Sequence, residues 1–182
     1  MILFFGPPGS GKSVQGKLLI ERNGWQWLST GELFRNSKDL EVLKRLASGE
    51  LIDDELTNKV LDTAIRSAKG DGPIVLDGYP RNLEQVAWLA EYLPEQGRKI
   101  ECVILFQVPR KELIARLSGR GRAEDTPEVI NRRLDIYQEK TSPVVDHYRE
   151  SGISVIAIDG MGAINDVHER IQGAVLSCLK DK

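Results

Sequence analysis

Short apolar runs alternate along this chain with longer stretches in which apolar residues recur every three to four positions. The runs at 2–5, 25–28, 73–76, 101–107 and 154–158 lack sustained polar alternation, as strands buried on both faces should. Helical periodicity fills 12–22, 82–92, 109–118, 127–151 and 163–179. The fourth of these opens with Thr126 as an N-cap before Pro127, a proline suited to the first helical position. Strand and helix in alternation predict the α/β class, a five-stranded parallel sheet flanked by helices. The stretch 30–68 breaks the rhythm. It holds about three helical patterns and no strand, with one helix over 41–46 before Gly49 and another over 54–68 before Gly70, and is predicted to be a helical insertion. A polar segment at 119–126 carrying Arg120 and Arg122 reads as a short mobile flap.

Composition narrows the class without naming a function. At 182 residues the chain fits a single domain spanning 1–182, able to bury a core without disulfides or a structural metal. With 41% hydrophobic and 29% charged residues and a net charge of −2, it has no basic excess for a general nucleic-acid partner. It also lacks an apolar stretch for a membrane span. Cys102 and Cys178 are distant in sequence and have no histidine nearby, so neither a zinc site nor a disulfide framework is expected. The first residues begin a strand rather than a signal peptide, which makes the cytoplasm the expected compartment, and the self-sufficient domain makes a monomer the default state.

Chemistry enters at the first strand-to-helix junction. Gly6-Pro7-Pro8-Gly9-Ser10-Gly11-Lys12-Ser13 is a complete G-x-x-x-x-G-K-[ST] loop. Its glycines let successive N–H groups and the following helix N-terminus converge on phosphate oxygens, and Lys12 adds a charge for the β and γ phosphates. The strand at 73–76 then leads into Asp77, followed by Gly78-Tyr79-Pro80-Arg81. Ligands of open parallel sheets bind beyond the carboxyl ends of the strands, so Asp77 is placed to hold Mg²⁺ or its waters. Five of the fourteen arginines, Arg116, Arg120, Arg122, Arg132 and Arg133, fall between 116 and 133. Arg116 and Arg120 share one side of a helix, and Arg133 approaches from the helix beyond the flap. These three and Arg122 are expected to converge on a polyphosphate, Arg132 to be solvated. His147 and His168 lie in helical patterns away from every motif and are expected to serve surface or packing roles.

Five motifs in one order, GPPGSGK at 6–12, STGELFR at 29–35, DGYPRNLEQ at 77–85, RLSGR at 116–120 and DTPEVINRRLDIY at 125–137, make the chain resemble the adenylate kinases over nearly its whole length. The resemblance implies a P-loop core with an NMP-binding insertion at 30–68 and a short lid at 119–126. It further implies reversible transfer of the γ-phosphoryl of Mg-ATP to AMP, giving two ADP. The partners are then the nucleotides ATP, AMP and ADP, and the cofactor is Mg²⁺ without zinc. Carried onto this sequence, Pro8, Gly9, Ser10, Gly11, Lys12, Ser13, Val14 and Arg120 cradle ATP, Arg116 covers its base, and Gly162 of the turn Asp159-Gly160-Met161-Gly162 offers backbone to the adenine. Thr30, Gly31, Arg35, Ile52, Gly78, Arg81, Gln85, Arg122 and Arg133 face AMP, with Gln85 at the adenine edge. Lys12, Arg81, Arg120, Arg122 and Arg133 surround the transferred group. Pyrimidine-directed sister kinases share most of these contacts, and Asn82 bears a local similarity to them. A nucleotide-binding scaffold without turnover is the alternative of a different class.

Two departures from the family pattern stand out. Ser13-Val14 replace the usual glycine and threonine, so a Walker-type hydroxyl is regained and one near the α-phosphate is lost. The expectation is that Ser13 contacts the metal. Trp25 and Trp27 occupy a commonly aliphatic stretch, and as alternate strand residues they should pack together against a helix.

Overall fold

The computed structural model describes residues 1–68 and 72–180. Their five strands are β1 (Ile2–Phe5), β2 (Gln26–Ser29), β3 (Ile74–Asp77), β4 (Cys102–Gln107) and β5 (Val155–Asp159). All pair in parallel in the order β2-β3-β1-β4-β5. The helices are α1 (Lys12–Asn23), α2 (Thr30–Arg35), α3 (Leu40–Ser48), α4 (Asp54–Ser67), α5 (Leu83–Glu95), α6 (Arg110–Arg120), α7 (Pro127–Ile136), α8 (Ser142–Glu150) and α9 (Ile164–Lys180). The α/β sandwich expected from the apolar rhythm is therefore present, with strand limits shifted by one residue. Gly70, the expected stop signal behind α4, lies outside the described residues.

The period-two geometry of β1 divides the core. Leu3 and Phe5 join Leu76, Leu89 and Tyr148 on one face, while Ile2 and Phe4 join Leu19, Phe106, Ile171 and Val175 on the other. Each such fully buried apolar side chain contributes about 1.5–3 kcal/mol. The expectation that every strand is buried on both faces holds for β1 and β3 and fails at the sheet margins. β2 and β5 are edge strands with one flank unpaired, and most of their residues are only partly buried. Trp25 and Trp27 pack against the second core cluster as expected. Trp27 meets Phe4 edge-on with ring centroids 5.8 Å apart. It also lies so close to α1 that a Cβ on Gly16 would come within 2.1 Å of its ring.

The single helix expected over 127–151 is helical throughout but not uniform. Between α7 and α8 the chain widens into a π turn over Tyr137–Thr141. Pro143 has no N–H to donate to the preceding turn, and a one-residue bulge accommodates that missing bond. The bulge brings the Thr141 hydroxyl to the backbone carbonyl of Arg81 at 3.2 Å, and Tyr137 to the wall of the cleft. Helices α2–α4 carry a small core of their own, Phe34, Val42 and Ile52 with Leu46, Leu56 and Val60. Asp39 and Asp53 cap α3 and α4 by accepting backbone N–H bonds.

Candidate active site

The carboxyl ends of the strands open into one cavity of about 660 Å³, and a narrow recess of about 20 Å³ lined by residues of α2 and α4 shares Gly31, Gly78 and Arg81 with it. The loop after β1 forms its floor. Gly9 and Gly11 take φ of +85° and +100°, conformations that side chains disfavour, and a Cβ on Gly9 would lie 2.9 Å from Leu117. Gly11 is the N-cap of α1 and supplies no side-chain bond, so the first-turn N–H groups of α1 remain available to an anion. Lys12 Nζ donates to Gly6 O at 2.7 Å, Pro7 O at 3.1 Å and Ser10 Oγ at 3.3 Å. Burial lowers its pKa to about 8. Asp77 opposes that shift, while Arg81, Arg133 and Arg120 add to it.

Register places two carboxyl-end residues side by side, because Ser29 of β2 is paired with Asp77 of β3. Asp77 Oδ2 accepts from Ser29 Oγ at 3.2 Å and from Ser13 Oγ at 3.3 Å. Its Oδ1 is buried and has no hydrogen-bond partner. Gly78, at φ +81°, turns the chain so that the Arg81 guanidinium folds back, with Nε donating to Gly78 O at 2.6 Å. A side chain on Gly78 would meet Thr30 Oγ1 at 2.8 Å and Arg81 Nη2 at 3.0 Å. The Arg81 pKa is lowered by burial and by Arg35, against the pull of Asp77.

The arginine cluster is organised by an acid that the motif reading left unassigned. Asp125, its side chain 2% exposed, accepts from Arg120 at both oxygens, 2.8 and 2.6 Å, and lies 3.6 Å from Arg133 Nη1. That Nη1 is buried and makes no hydrogen bond. Burial, together with repulsion from Arg120 and Arg81, pushes the Arg133 pKa down to about 10. Among the described residues the Arg122 side chain has only a 3.9 Å contact with Glu124. Cations thus outnumber acids on this wall, and Arg120 and Arg133 are held in place before any ligand arrives. The alternation of Glu124-Asp125 with the arginines was visible in the sequence and was the signal for this role.

Every residue expected at the site lines the cavity or its recess. Pro8, Gly9, Ser10, Gly11, Lys12, Ser13, Val14, Arg116, Arg120 and Gly162 line the main cavity, as do Asp77, Arg122, Arg133, Gly31, Arg35, Gly78 and Arg81. Thr30, Ile52 and Gln85 line the recess. Arg116 Nη2 donates to Gly160 O at 3.1 Å, which ties α6 to the turn after β5. Arg132 pairs with Glu50 at 3.0 Å with both side chains about half exposed, the solvated role expected of it. Asn82 does not line the cleft. Its Oδ1 caps α5 at Gln85 N, and its Nδ2 donates to Asp54, so it offers nothing to an acceptor base. His168 needs correction. It packs as expected, fully buried, but not away from the motifs. Its Nδ1 meets Gln15 Oε1 at 3.1 Å, two residues after Ser13, and burial lowers its pKa.

The family model described as adenylate kinase matches residues 4–153. The adenylate kinase of Mycolicibacterium paratuberculosis is 38% identical over 175 residues, 93% of this chain and 95% of that protein. That of Mycobacterium tuberculosis is 37% identical with the same coverage, and that of Kocuria rhizophila is 41% identical over 184 residues, 96% of this chain and 97% of its own. A phosphate loop, an aspartate at the next strand end and a wall of arginines, in a chain matched from end to end at this level, place this protein in the adenylate kinase family, as an enzyme that transfers a phosphoryl group between ATP and AMP.

Proposed function

We propose that the two ends of the cleft divide the substrates, with ATP held over the loop before α1 and AMP under the insertion formed by α2–α4. The observation that carries this division is the single cavity in which Lys12, Arg81, Arg120, Arg122 and Arg133 meet from four separate parts of the chain. Phosphoryl transfer asks a protein mainly for alignment and charge neutralisation. Buried cations that depress one another's pKa supply this, because phosphate relieves their repulsion as it binds. On the donor side, Arg116 and Gly162 flank the ATP base and the residues from Pro8 to Val14 surround its phosphates. On the acceptor side, Arg35 and Arg81 hold the AMP phosphate, while Thr30, Gly31, Ile52, Gly78 and Gln85 enclose its nucleoside. Segment 119–126 acts as a short lid, and its closing together with the insertion keeps water, the competing acceptor, from the transferred group.

The residues at Asp77 fit a magnesium ion carried by the nucleotide. Its Oδ1 is buried without a partner, and two hydroxyls, Ser13 and Ser29, stand at its other oxygen. Mg²⁺ needs only one or two carboxylates beside phosphates and water, and when bound it offsets phosphate charge. Ser13, in place of the family's glycine, gives the metal site an extra oxygen. Ser13→Gly is therefore expected to raise the Mg²⁺ concentration for half-maximal rate about tenfold. Unchanged turnover and unchanged Mg²⁺ dependence in that variant would remove Ser13 from the site.

Among the described residues no helix is long and apolar enough to cross a membrane, and the reading places a monomer in the cytoplasm. The test is ADP formation from Mg-ATP with AMP, CMP, UMP, GMP or no acceptor. AMP is expected to be favoured by at least about a hundredfold in kcat/KM. A pyrimidine preference would move the chain's acceptor site to the sister-kinase type, and nucleotide binding without turnover would favour a scaffold.

A further inference from the structure

We propose that Asp54, which touches no substrate, sets the base specificity of the acceptor site by locking the orientation of the Gln85 amide. This inference rests on the placement of the AMP base against Thr30, Phe34, Ile52 and Gln85, with the insertion opening the narrow recess between them to admit it. Gln85 is 2% exposed, and both ends of its amide are already engaged. Oε1 accepts from Arg81 N at 2.7 Å, and Nε2 donates to Asp54 Oδ1 at 2.7 Å. Rotating the amide by half a turn would set an NH₂ against an N–H and a carbonyl oxygen against a carboxylate. Both bonds would become repulsions.

The carboxylate that imposes this choice is itself fixed. Asn82 Nδ2 donates to Asp54 Oδ1 and Oδ2 at 3.1 and 2.9 Å, while Asn82 Oδ1 accepts from Gln85 N at 2.8 Å. Asp54 opens α4 and Asn82 caps α5, so the network ties the insertion to the core at the recess. Asp54 does not line the recess, which makes it a positioning residue.

An amide has two N–H donors and two carbonyl lone pairs. With one of each spent on Asp54 and Arg81, Gln85 keeps one donor and one acceptor in a fixed order for a base. Adenine presents an acceptor at N1 and a donor at N6, and accepts that order. A 6-oxopurine presents a donor at N1 and an acceptor at O6, the reverse, so in the same pose it meets two mismatches. A freely turning glutamine reads either pattern, whereas the locked one reads adenine.

The test compares AMP with inosine monophosphate, which differs from AMP only at positions 1 and 6 of the base, using Mg-ATP as donor. Asp54→Ser keeps a residue suited to a helix start but is too short to hold Nε2, and Asp54→Ala serves as a second variant should the serine form fold poorly. Either is expected to raise KM for AMP about tenfold and to lower the AMP to inosine monophosphate ratio of kcat/KM by at least about tenfold, with kcat and KM for ATP within about twofold of wild type. Asp54→Asn retains an Oδ1 acceptor for Gln85 but sets an NH₂ against Asn82 Nδ2, and is expected to recover only part of the discrimination. Equal losses with both acceptors, leaving the ratio unchanged, would overturn the inference and assign Asp54 a purely structural role. Wild-type protein that turns over neither acceptor would instead overturn the placement of AMP, and this inference with it.

Discussion

Replacing Lys12 with methionine is expected to lower the rate of ADP formation by roughly three orders of magnitude while the protein still folds. Removing one preorganised charge-stabilising donor costs about 10² to 10³ in rate, and in the proposed arrangement Lys12 serves phosphates that gain charge at the bridging oxygen as the bond breaks. Its ammonium is held by Gly6 O, Pro7 O and Ser10 Oγ, so the charge is positioned before substrate binds. The fold survives because this charge is a burden to the native state. The folded pKa of about 8 lies below the 10.5 of an exposed lysine, so between these values the native protein binds fewer protons than the unfolded chain. The resulting penalty is fully present below pH 8 and fades as pH rises toward 10.5. Methionine, of similar length, carries no such penalty. In the wild type, a polyanion needs the protonated lysine, so ATP affinity should weaken as pH rises above about 8 and the methionine variant should lose that limb. Steady-state rates, thermal unfolding and ATP binding across roughly pH 7 to 10 check the three parts, and a rate within about tenfold of wild type would refute the assignment.

The sheet and the loop before α1 were legible because both are local. Apolar runs of strand length and the glycine spacing from Gly6 to Gly11 specify their structure within a few residues. Edge positions were not legible, since nothing in Gln26–Ser29 or Val155–Asp159 states which neighbour a strand will lack. The site arginines could be named from their crowding, but the acid that orders them could not be ranked against the chain's other carboxylates until Asp125 was seen buried between Arg120 and Arg133. Thr141 and Asp54 illustrate a harder limit. Their partners, Arg81 and Gln85, are 60 and 31 residues away, and no local pattern encodes a contact that depends on a π turn or on the docking of two helix starts. Gln85 was assigned to a base edge by resemblance, while the reason its amide faces one way is a tertiary property.

Arg122→Ala is expected to slow phosphoryl transfer about a thousandfold with little change in stability, because this arginine is the cation of the proposed lid least committed to the protein itself. Arg120 is forked onto Asp125, and Arg133 lies half-buried beside the same acid, whereas Arg122 has only its 3.9 Å approach to Glu124 among the described residues and stays one-third exposed. An exposed contact of that length contributes at most about 1 kcal/mol, so its loss should barely move the unfolding midpoint. Burial and the nearby Arg120 and Arg35 already lower the Arg122 pKa, which means the guanidinium sits in a positive environment that an anion would relieve. A group that gains little from the fold and much from a transferring phosphoryl acts in the transition state, where an arginine is worth about 10³ or more in kcat. The effect should therefore fall on kcat, with KM for either nucleotide changed far less. Arg132→Ala, in the same basic segment but with its side chain paired outward to Glu50, should change the rate by less than about threefold. Equal losses in the two variants would mean that net positive charge, rather than the placement of Arg122, drives the reaction.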